Sequence, residues 1–585
     1  MVIFMCGIIG TISLDNSIYK IKSSLEKLEY RGYDSSGIGY KENNELKIIK
    51  KTGKLKNLFQ NLNNVNSNLI IAHTRWATHG EANEINAHPH ISNNHKYLVV
   101  HNGIIENYLD IKNKYLSNYN FISDTDTEIL PNLVDYYFNQ GFTILESLNK
   151  IQKILKGNNA FLLLSKDEDN IYFLKNNAPL IISVKDNNNF ISSDINATLE
   201  YTNKVIYLPE LSYGYLNLKE IKIYDLNHNL YDYKIEIVNL KSDDVKKNNF
   251  KYYMLKEIYD IPKSLKDTIN YYKNNKIKIP KDYFNDITNI KILGCGTSYH
   301  SGLIGKKLIE EYLNINTEVE ISSEFNYNKN IYHKNTLYIL ISQSGETIDT
   351  ILSSKLIKNN NLKSISITNV NNSTLTHYTD YSLYLKCGPE IAVASTKAYN
   401  TQILMFYILI SYLLNDNNLL KDLNNIINKL DISSYDNQIK EKAKKYKKFN
   451  QIFFIGRNYD YIQSLESALK LKEISYIHSE AYPSGELKHG TLALINKKSL
   501  VICINTNDKL KEKTLLSLKE IEARKAKTLL ISKDDNSFIQ LPNIDYKLLP
   551  IISIIPSQLF SYYISIYKNL NPDKPRNLAK SVTVE

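Results

Sequence analysis

Near the start of the chain, Cys6 opens the run Cys6-Gly7-Ile8-Ile9-Gly10. Removal of everything through Met5 would leave this cysteine with both a thiol and a free α-amine. An α-amine with a pKa of roughly 7.7 to 8.0 can serve as base for its own thiol at neutral pH. Taken alone, Cys-Gly reads as readily as a small buried residue opening a strand. Three polar clusters follow it within an apolar framework: AHTRWATHG (Ala72 to Gly80), HNGIIEN (His101 to Asn107) and SDTDTE (Ser123 to Glu128). In isolation Arg75 is as easily a surface ion pair, Asn102-Gly103 a hairpin turn and Trp76, the single tryptophan, a core residue.

The second half carries a different set. SQSGET (Ser342 to Thr347) follows the apolar run TLYILI and precedes a helical stretch, so its hydroxyls and backbone N–H groups can bind a phosphate at a helix N-terminus without a lysine. GCGTS (Gly294 to Ser298) stands in the same strand-to-helix position one unit earlier, although most such turns only close a turn. Periodicity predicts a helix over Ile462 to His478, on which Lys470 and Glu473, three residues apart, share a face. An ordinary surface pair would look the same and contribute less than about 1 kcal/mol. AYPSGELKHGTLALI (Ala481 to Ile495) adds His489, a group able to exchange protons near neutral pH.

Such groups need scaffolds, and the chain reads as two kinds. From residue 6 to about 240, short strand-like runs such as Leu69 to Ala72, Tyr97 to His101 and Ala160 to Leu164 alternate with turns and a few helices, which predicts a sheet-rich α+β domain. Residues 241–285 read as an ordered connector with a helix around Tyr253 to Tyr272. Thereafter strands are followed by helices, as in IKILGCGTSYHSGLIGKKLIEEY and TLYILISQSGETIDTILSSKL. The pattern recurs in the same order as QIFFIGRNYDYIQSLESALKLKEISY and SLVICINTNDKLKEKTLLSLKEI. Two α/β subdomains with parallel sheets are therefore expected, at residues 286–430 and 431–570. Residues 571–585, with two prolines and little apolar periodicity, read by propensity as a frayed tail.

Composition narrows the classes. With 585 residues, more than one core is required, since single cores stop growing at roughly 250 to 300 residues. The formal net charge of +11 comes from lysines scattered among acidic residues, not from a dense stripe, which argues against a nucleic-acid partner. Four widely spaced cysteines form neither a zinc pattern nor a disulfide framework and fit a reducing cytoplasm. The longest apolar stretch, Ile403 to Leu414, falls short of the roughly 20 residues needed to span a bilayer and reads as a buried helix. MVIFM lacks the basic flank and length of a secretory signal, so neither membrane nor export is expected.

Cys6, LEYRGYDS (Leu28 to Ser35) and the three polar clusters closely resemble the glutaminase domain of N-terminal-nucleophile amidotransferases, stacked sheets covered by helices. Glutamine hydrolysis needs a nucleophile, clamps for the α-carboxylate and α-amine, and donors for an oxyanion. The resemblance gives these roles to Cys6, Arg75, Asp126, and Asn102 with the Gly103 N–H, with Thr78 and His79 also on glutamine and Trp76 gating ammonia. GCGTS, SQSGET and EIAVASTKA (Glu390 to Ala398) resemble sugar isomerase domains, specifically those of the isomerising glutamine–fructose-6-phosphate aminotransferase family. That resemblance implies Thr297, Ser298, Ser342, Gln343, Ser344, Thr347, Ser395 and Lys470 as sugar-phosphate ligands, and His489 as the ring-opening group. PRNLAKSVTVE resembles the family's C-terminus, making Lys580 the Schiff-base amine, with Arg576 supporting the tail. Aldose–ketose interconversion needs a base that takes a proton from one carbon and returns it to its neighbour, a task for Glu473.

The resemblance runs from Cys6 to Glu585, with its motifs in order, and implies glutamine and fructose 6-phosphate as substrates, a homodimer with a shared isomerase site, and neither metal nor organic cofactor. Two departures stand out. Thr491 replaces the family's usual proline after His-Gly, and four residues precede Met5. An acylated Cys6 nitrogen cannot be a base, so translation from Met5 or removal of the first five residues is expected. Two other readings stay open: a related amidotransferase with another acceptor, such as a phosphoribosyl pyrophosphate, and a non-catalytic sugar-phosphate sensor.

Overall fold

The apolar runs at Leu69, Tyr97 and Ala160 become the strands Leu69–Arg75, Tyr97–Gly103 and Asn159–Ser165, two of which end on polar cluster residues. The computed structural model describes residues 6–29, 32, 34–76, 80–238 and 247–582, and the chain divides into two units, Met1–Lys246 with Ser581–Glu585 and Lys247–Lys580.

The first unit stacks two antiparallel sheets, as expected for the α+β half. The larger runs Glu236–Ile237, Lys204–Tyr207, Ile181–Lys185, Asn188–Ser192, Gly7–Ser13, Leu69–Arg75, Ser35–Glu42, Glu45–Thr52. The smaller runs Ile221–Tyr224, Ser212–Leu216, Ile171–Asn176, Asn159–Ser165, Tyr97–Gly103, His90–Ile91. Their inner faces meet in one core that joins Ile8 and Ile71 to Val100, Leu162 and Phe173. Helices Ile18–Leu28 and Leu55–Phe59 cover the larger sheet, and Ile129–Phe138 and Ile144–Ile154 the smaller. Covered on both faces, Gly7–Ser13 is buried throughout, which is why it reads as nearly continuous apolar sequence.

The second unit holds the tandem. One parallel sheet runs Asn316–Ile321, Asn289–Gly294, Thr336–Ile341, Ser364–Thr368, Tyr381–Tyr384; the other runs His478–Pro483, Gln451–Gly456, Leu500–Asn505, Lys527–Ser532, Ile539–Gln540. Strand order is the same in both, and ligands on such sheets sit beyond the carboxyl ends of the strands. One core spans both repeats, and the helix Lys397–Leu414 runs through it, buried from Lys397 to Ser411. A second run, Leu549–Tyr567, has the length and composition to cross a membrane but is 94% buried inside the protein, as a core helix would be.

Three elements differ from the sequence reading. The helix expected to His478 spans Tyr459–Ser475: Tyr476 turns left-handed at φ 59°, and His478 opens a strand. The expected Tyr253–Tyr272 helix is two, Tyr253–Tyr259 and Ile261–Asn274, broken where Pro262 can donate no N–H, and both pack into the core through Met254, Ile258, Ile261 and Leu265. The tail is tied down by tertiary contacts. Asp573 accepts from the Tyr253 and Met254 amides at 2.8 Å each, and its own carbonyl accepts from Val393. Arg576 lies over the Tyr476 ring at 4.2 Å.

Candidate active sites

In the first unit the strand pairings bring the polar clusters together. Gly7 pairs with Thr74 on Leu69–Arg75, so Cys6 lies beside Arg75 and Trp76, and its thiol faces the Trp76 carbonyl at 3.8 Å. Cys6 keeps some access to solvent, yet the packing around its sulfur pushes the thiol up to about 11, with Arg75 pulling it down and Asp126 adding to the rise. The thiol therefore needs a base. Arg75 is almost fully buried and is aimed by the Glu81 and Gly80 carbonyls at 3.2 and 3.4 Å. Asp126 accepts the Ile105 amide at 2.7 Å, which ties HNGIIEN to SDTDTE.

Asn102 and Gly103 end their strand. The Asn102 side chain is completely buried, and neither its oxygen nor its nitrogen has a hydrogen-bond partner among the described residues. An unpaired buried amide is costly, so such a group is a candidate to bind a ligand. Gly103 sits at φ 141°, where a Cβ would lie 1.9 Å from the Asn158 carbonyl, so only glycine fits. Behind them four buried histidines form a neutral packing block. His73 stacks on His88 at 4.0 Å, and His101 bonds Thr127 and Asn159 at 2.8 and 3.0 Å. Burial holds all of them, His90 included, below the ordinary imidazole range. Thr78 and His79 lie outside the described residues.

In the second unit, Gly294 pairs with Ile341, so the turns Gly294–Ser298 and Ser342–Thr347 leave neighbouring strands at the same end. Ser342 Oγ and Thr347 Oγ1 are 2.9 Å apart, the Gly345 amide donates to Ser342 Oγ at 3.0 Å, and the Glu346 amide to Ser344 Oγ at 3.1 Å. The Gln343 carbonyl accepts from Asn369, and Ser298 Oγ from Gln402 at 3.0 Å. The helices Thr297–Leu313 and Tyr459–Ser475, one from each repeat, share a buried charge cluster. Lys470 Nζ lies 2.7 Å from Glu473, 3.4 Å from Glu466 and 3.1 Å from the Thr297 hydroxyl. Glu466, wholly buried, also accepts from Thr297 at 3.0 Å and lies 2.7 Å from His300 Nδ1. Burial works against the Lys470 charge, but Glu466 and Glu473 outweigh it and hold the amine above the lysine range. Burial raises Glu473 above the usual carboxylate range, with Lys470 opposing.

A second knot lies beside the first. Lys580 Nζ sits 2.5 Å from Glu390 Oε2, which also takes the Ser395 hydroxyl at 2.7 Å, and Glu390 Oε1 accepts the Thr396 and Ala398 amides. Burial works against that carboxylate, but Lys580 and these donors draw it down to about 2. The knots feel each other: Lys580 lowers Glu473, and Glu390 raises Lys470. His489 stands apart, exposed on the turn Glu486–His489, and its ring makes no hydrogen bond or ion pair among the described residues. Two members escaped the sequence reading: Glu390 and Glu466. A cue existed for Glu466, because it falls with Ile462, Lys470 and Glu473 on one helical stripe that should be apolar if merely packed.

Comparison with known proteins agrees in both halves. The chain matches the glutamine amidotransferase domain family over residues 73–200 and the SIS domain family over residues 283–412 and 445–567. It is similar to the glutamine–fructose-6-phosphate aminotransferase (isomerizing) of Clostridium acetobutylicum, 38% identical over 610 residues, 99% of this chain and 100% of that protein. The protein of the same name from Staphylococcus aureus strain COL is 39% identical over 604 residues, with 99% and 100% covered. Among solved structures, the C-terminal domain of glucosamine-fructose-6-phosphate aminotransferase from Francisella tularensis matches at TM-score 0.53 and 37% identity, covering 56% of this chain and 99% of that one.

Proposed function

This chain belongs to the isomerizing glutamine–fructose-6-phosphate aminotransferases, and from that premise we propose how its residues divide the reaction. The enzyme transfers the amide nitrogen of glutamine to fructose 6-phosphate and isomerises the product to glucosamine 6-phosphate. In the first unit Arg75 binds the glutamine α-carboxylate and Asp126 its α-amine, with Thr78 and His79 completing the pocket. Cys6 attacks the amide, its own freed α-amine acting as base once the five preceding residues are gone, since a thiol held near 11 is inert unaided. The unpaired Asn102 amide and the Gly103 N–H stabilise the tetrahedral oxyanion. Trp76 gates the ammonia released.

In the second unit the turn hydroxyls of Ser342, Ser344 and Thr347, with Gln343, Thr297, Ser298 and Ser395, hold the sugar phosphate. Lys580 forms an imine with the open ketose with loss of water, ammonia displaces the lysine to leave the sugar's own imine, and Glu473 then moves the proton between C1 and C2, with Lys470 among the groups that hold the sugar phosphate. His489, exposed and without a hydrogen bond or ion pair among the described residues, opens the sugar ring in the site of a second copy, which calls for a homodimer. Four free thiols among the described residues suit a reducing cytoplasm.

The observation that carries the isomerase reading is Lys580: a lysine in a proline-rich tail with its side chain only 6% exposed, drawn onto a buried glutamate. The test is one assay of hexosamine phosphate from glutamine and fructose 6-phosphate, run beside glutamate release without the sugar. Amino-sugar formation that depends on both substrates supports the reading; glutamate release indifferent to the sugar would undo the coupling of the halves. Intact mass of active enzyme settles the nucleophile, because full activity with residues 1 to 5 still attached rules out the amine as base.

A further inference from the structure

Glu257, on the helix Tyr253–Tyr259, reaches the loop that carries Glu390. Its Oε1 accepts the Ile391 amide at 2.5 Å and the Ala392 amide at 3.2 Å, while its Oε2 is buried without a hydrogen-bond partner among the described residues. Glu390 grips the next stretch of the same loop through Thr396 and Ala398 and spends its other oxygen on Ser395 and Lys580. Two carboxylates from distant parts of the chain thus clamp one short loop, and a single lysine is paired with only one of them.

We propose that Glu257 is a positioning residue for Lys580: it holds the 390–398 loop as a neutral acid, leaving Glu390 the sole carboxylate paired with the lysine. This rests on the assignment of Lys580 as the imine-forming amine. The unpartnered Oε2 is the oxygen left to carry the proton. Burial first, and then the Glu390 charge, push Glu257 up to about 8, with Lys580 and Lys397 opposing. Other charged groups around it are already committed. Lys397 lies 3.8 Å from Asp260, Asp260 lies 2.9 Å from Lys256, and Asp573 is spent on the Tyr253 and Met254 amides. The Cys387 thiol beside them is pushed up to about 12 by burial and stays neutral. Loss of the Glu257 proton to solvent would set two buried negative charges in competition for Lys580 and repel the two sides of the loop.

The experiment uses the full-length enzyme without glutamine and follows conversion of fructose 6-phosphate to the aldose from about pH 6 to about pH 9.5. Borohydride reduction in the presence of substrate, with mass analysis of the Lys580 peptide, runs alongside. Parent enzyme should lose kcat/KM on the alkaline side near pH 8. Glu257→Gln, which keeps the acceptor oxygen and cannot ionise, should stay within about threefold of parent at neutral pH and move that fall upward by about one pH unit or more. Glu257→Ala, which leaves two buried amides unpaired, should lose roughly 10- to 100-fold at every pH. An alkaline limb in Glu257→Gln that superimposes on the parent's overturns the inference, and so does parent-like kinetics in Glu257→Ala. Should the alanine variant fail to fold, the glutamine variant alone decides. A parent enzyme that yields no reduced Lys580 adduct removes the imine assignment itself, an outcome distinct from a failed pH shift.

Discussion

The two isomerase repeats share strand order and even cap geometry. Gly296 precedes the first helix of one at φ 53°, ψ −123°, and Asn458 precedes that of the other at φ 57°, ψ −121°. Two residues past each cap, the repeats part. The first has Ser298, a neutral hydroxyl. The second has Asp460, whose carboxylate accepts the Thr506 amide at 2.7 Å and the Thr506 hydroxyl at 2.6 Å, and the Asn507 amide as well. Thr506 and Asn507 follow the strand Leu500–Asn505, the counterpart of the strand that leads into Ser342–Thr347. The turn proposed to hold the substrate phosphate in one repeat is thus filled by the protein's own carboxylate in the other. A strand end rich in N–H groups attracts an anion in either case. The tandem has two such places, one proposed to take ligand and one closed, and the closed repeat carries instead the helix with Lys470 and Glu473, the latter proposed to move the proton.

That division of labour is most severely tested at Glu473. Glu473→Gln removes the proton carrier but no proposed phosphate contact, so kcat for isomerisation should fall roughly 10²- to 10⁴-fold with KM within a few-fold of parent. A large rise in KM with kcat preserved would place Glu473 in binding and erase the contrast between repeats. Next in size, Ser298→Asp imports the second repeat's plug into the first. A carboxylate beside an incoming phosphate costs several kcal/mol, so kcat/KM for the sugar phosphate should drop roughly 100-fold or more while glutamate release continues. Unchanged sugar-phosphate kinetics would mean that Ser298 does not face the phosphate turn.

Much of this contrast was legible in the sequence and the decisive part was not. The recurrence of strand, turn and helix is a local pattern, so the tandem and its strands could be read directly. The strands of the first unit showed in short apolar runs, and the extension of Leu69–Arg75 and Tyr97–Gly103 into the polar clusters follows from pairing with Gly7–Ser13 and Asn159–Ser165. The tail was opaque because nothing local orders it: it is held by Asp573 on a helix start 320 residues earlier in sequence, by Tyr476 under Arg576, and by Glu390 on Lys580. Glu257, Glu390 and Asp460 escaped for the same reason. A glutamate on a polar-looking stretch carries no mark of burial until the partner element is known, and only then does an unpaired or overcommitted carboxylate stand out.

Asp460 gives the contrast a pH signature. Burial pushes it up to about 6 against an ordinary value of 3.8, with Thr506 opposing. Its ionised form is disfavoured by the fold, so its contribution is best at low pH, below the unfolded value, and declines as pH rises through about 6, by on the order of 3 kcal/mol. Asp460→Asn keeps an acceptor for the Thr506 amide and has no charge to bury. Its unfolding free energy relative to parent should therefore rise between about pH 4.5 and about pH 7. A constant difference across that range would show that the carboxylate is fully compensated by its donors.

The smallest effect concerns the caps, where the repeats agree in backbone and differ in residue. With φ near +55° and ψ near −120°, both positions occupy a region that suits glycine and strains any side chain by roughly 1 to 3 kcal/mol. Nothing lies within 4 Å of where a Gly296 Cβ would sit, so Gly296→Ala should cost about 1 to 2 kcal/mol through the backbone alone. Asn458 already bears that strain, and its side-chain oxygen is buried without a partner among the described residues. Asn458→Gly should therefore stabilise the enzyme by about 1 kcal/mol, part of the relief being offset by the greater freedom of glycine in the unfolded chain. Denaturant midpoints of the two variants should move in opposite directions. If Asn458→Gly destabilises instead, the asparagine amide is contributing a contact that outweighs its backbone strain, and the second repeat keeps a ligand-like interaction at its cap that the first has given up.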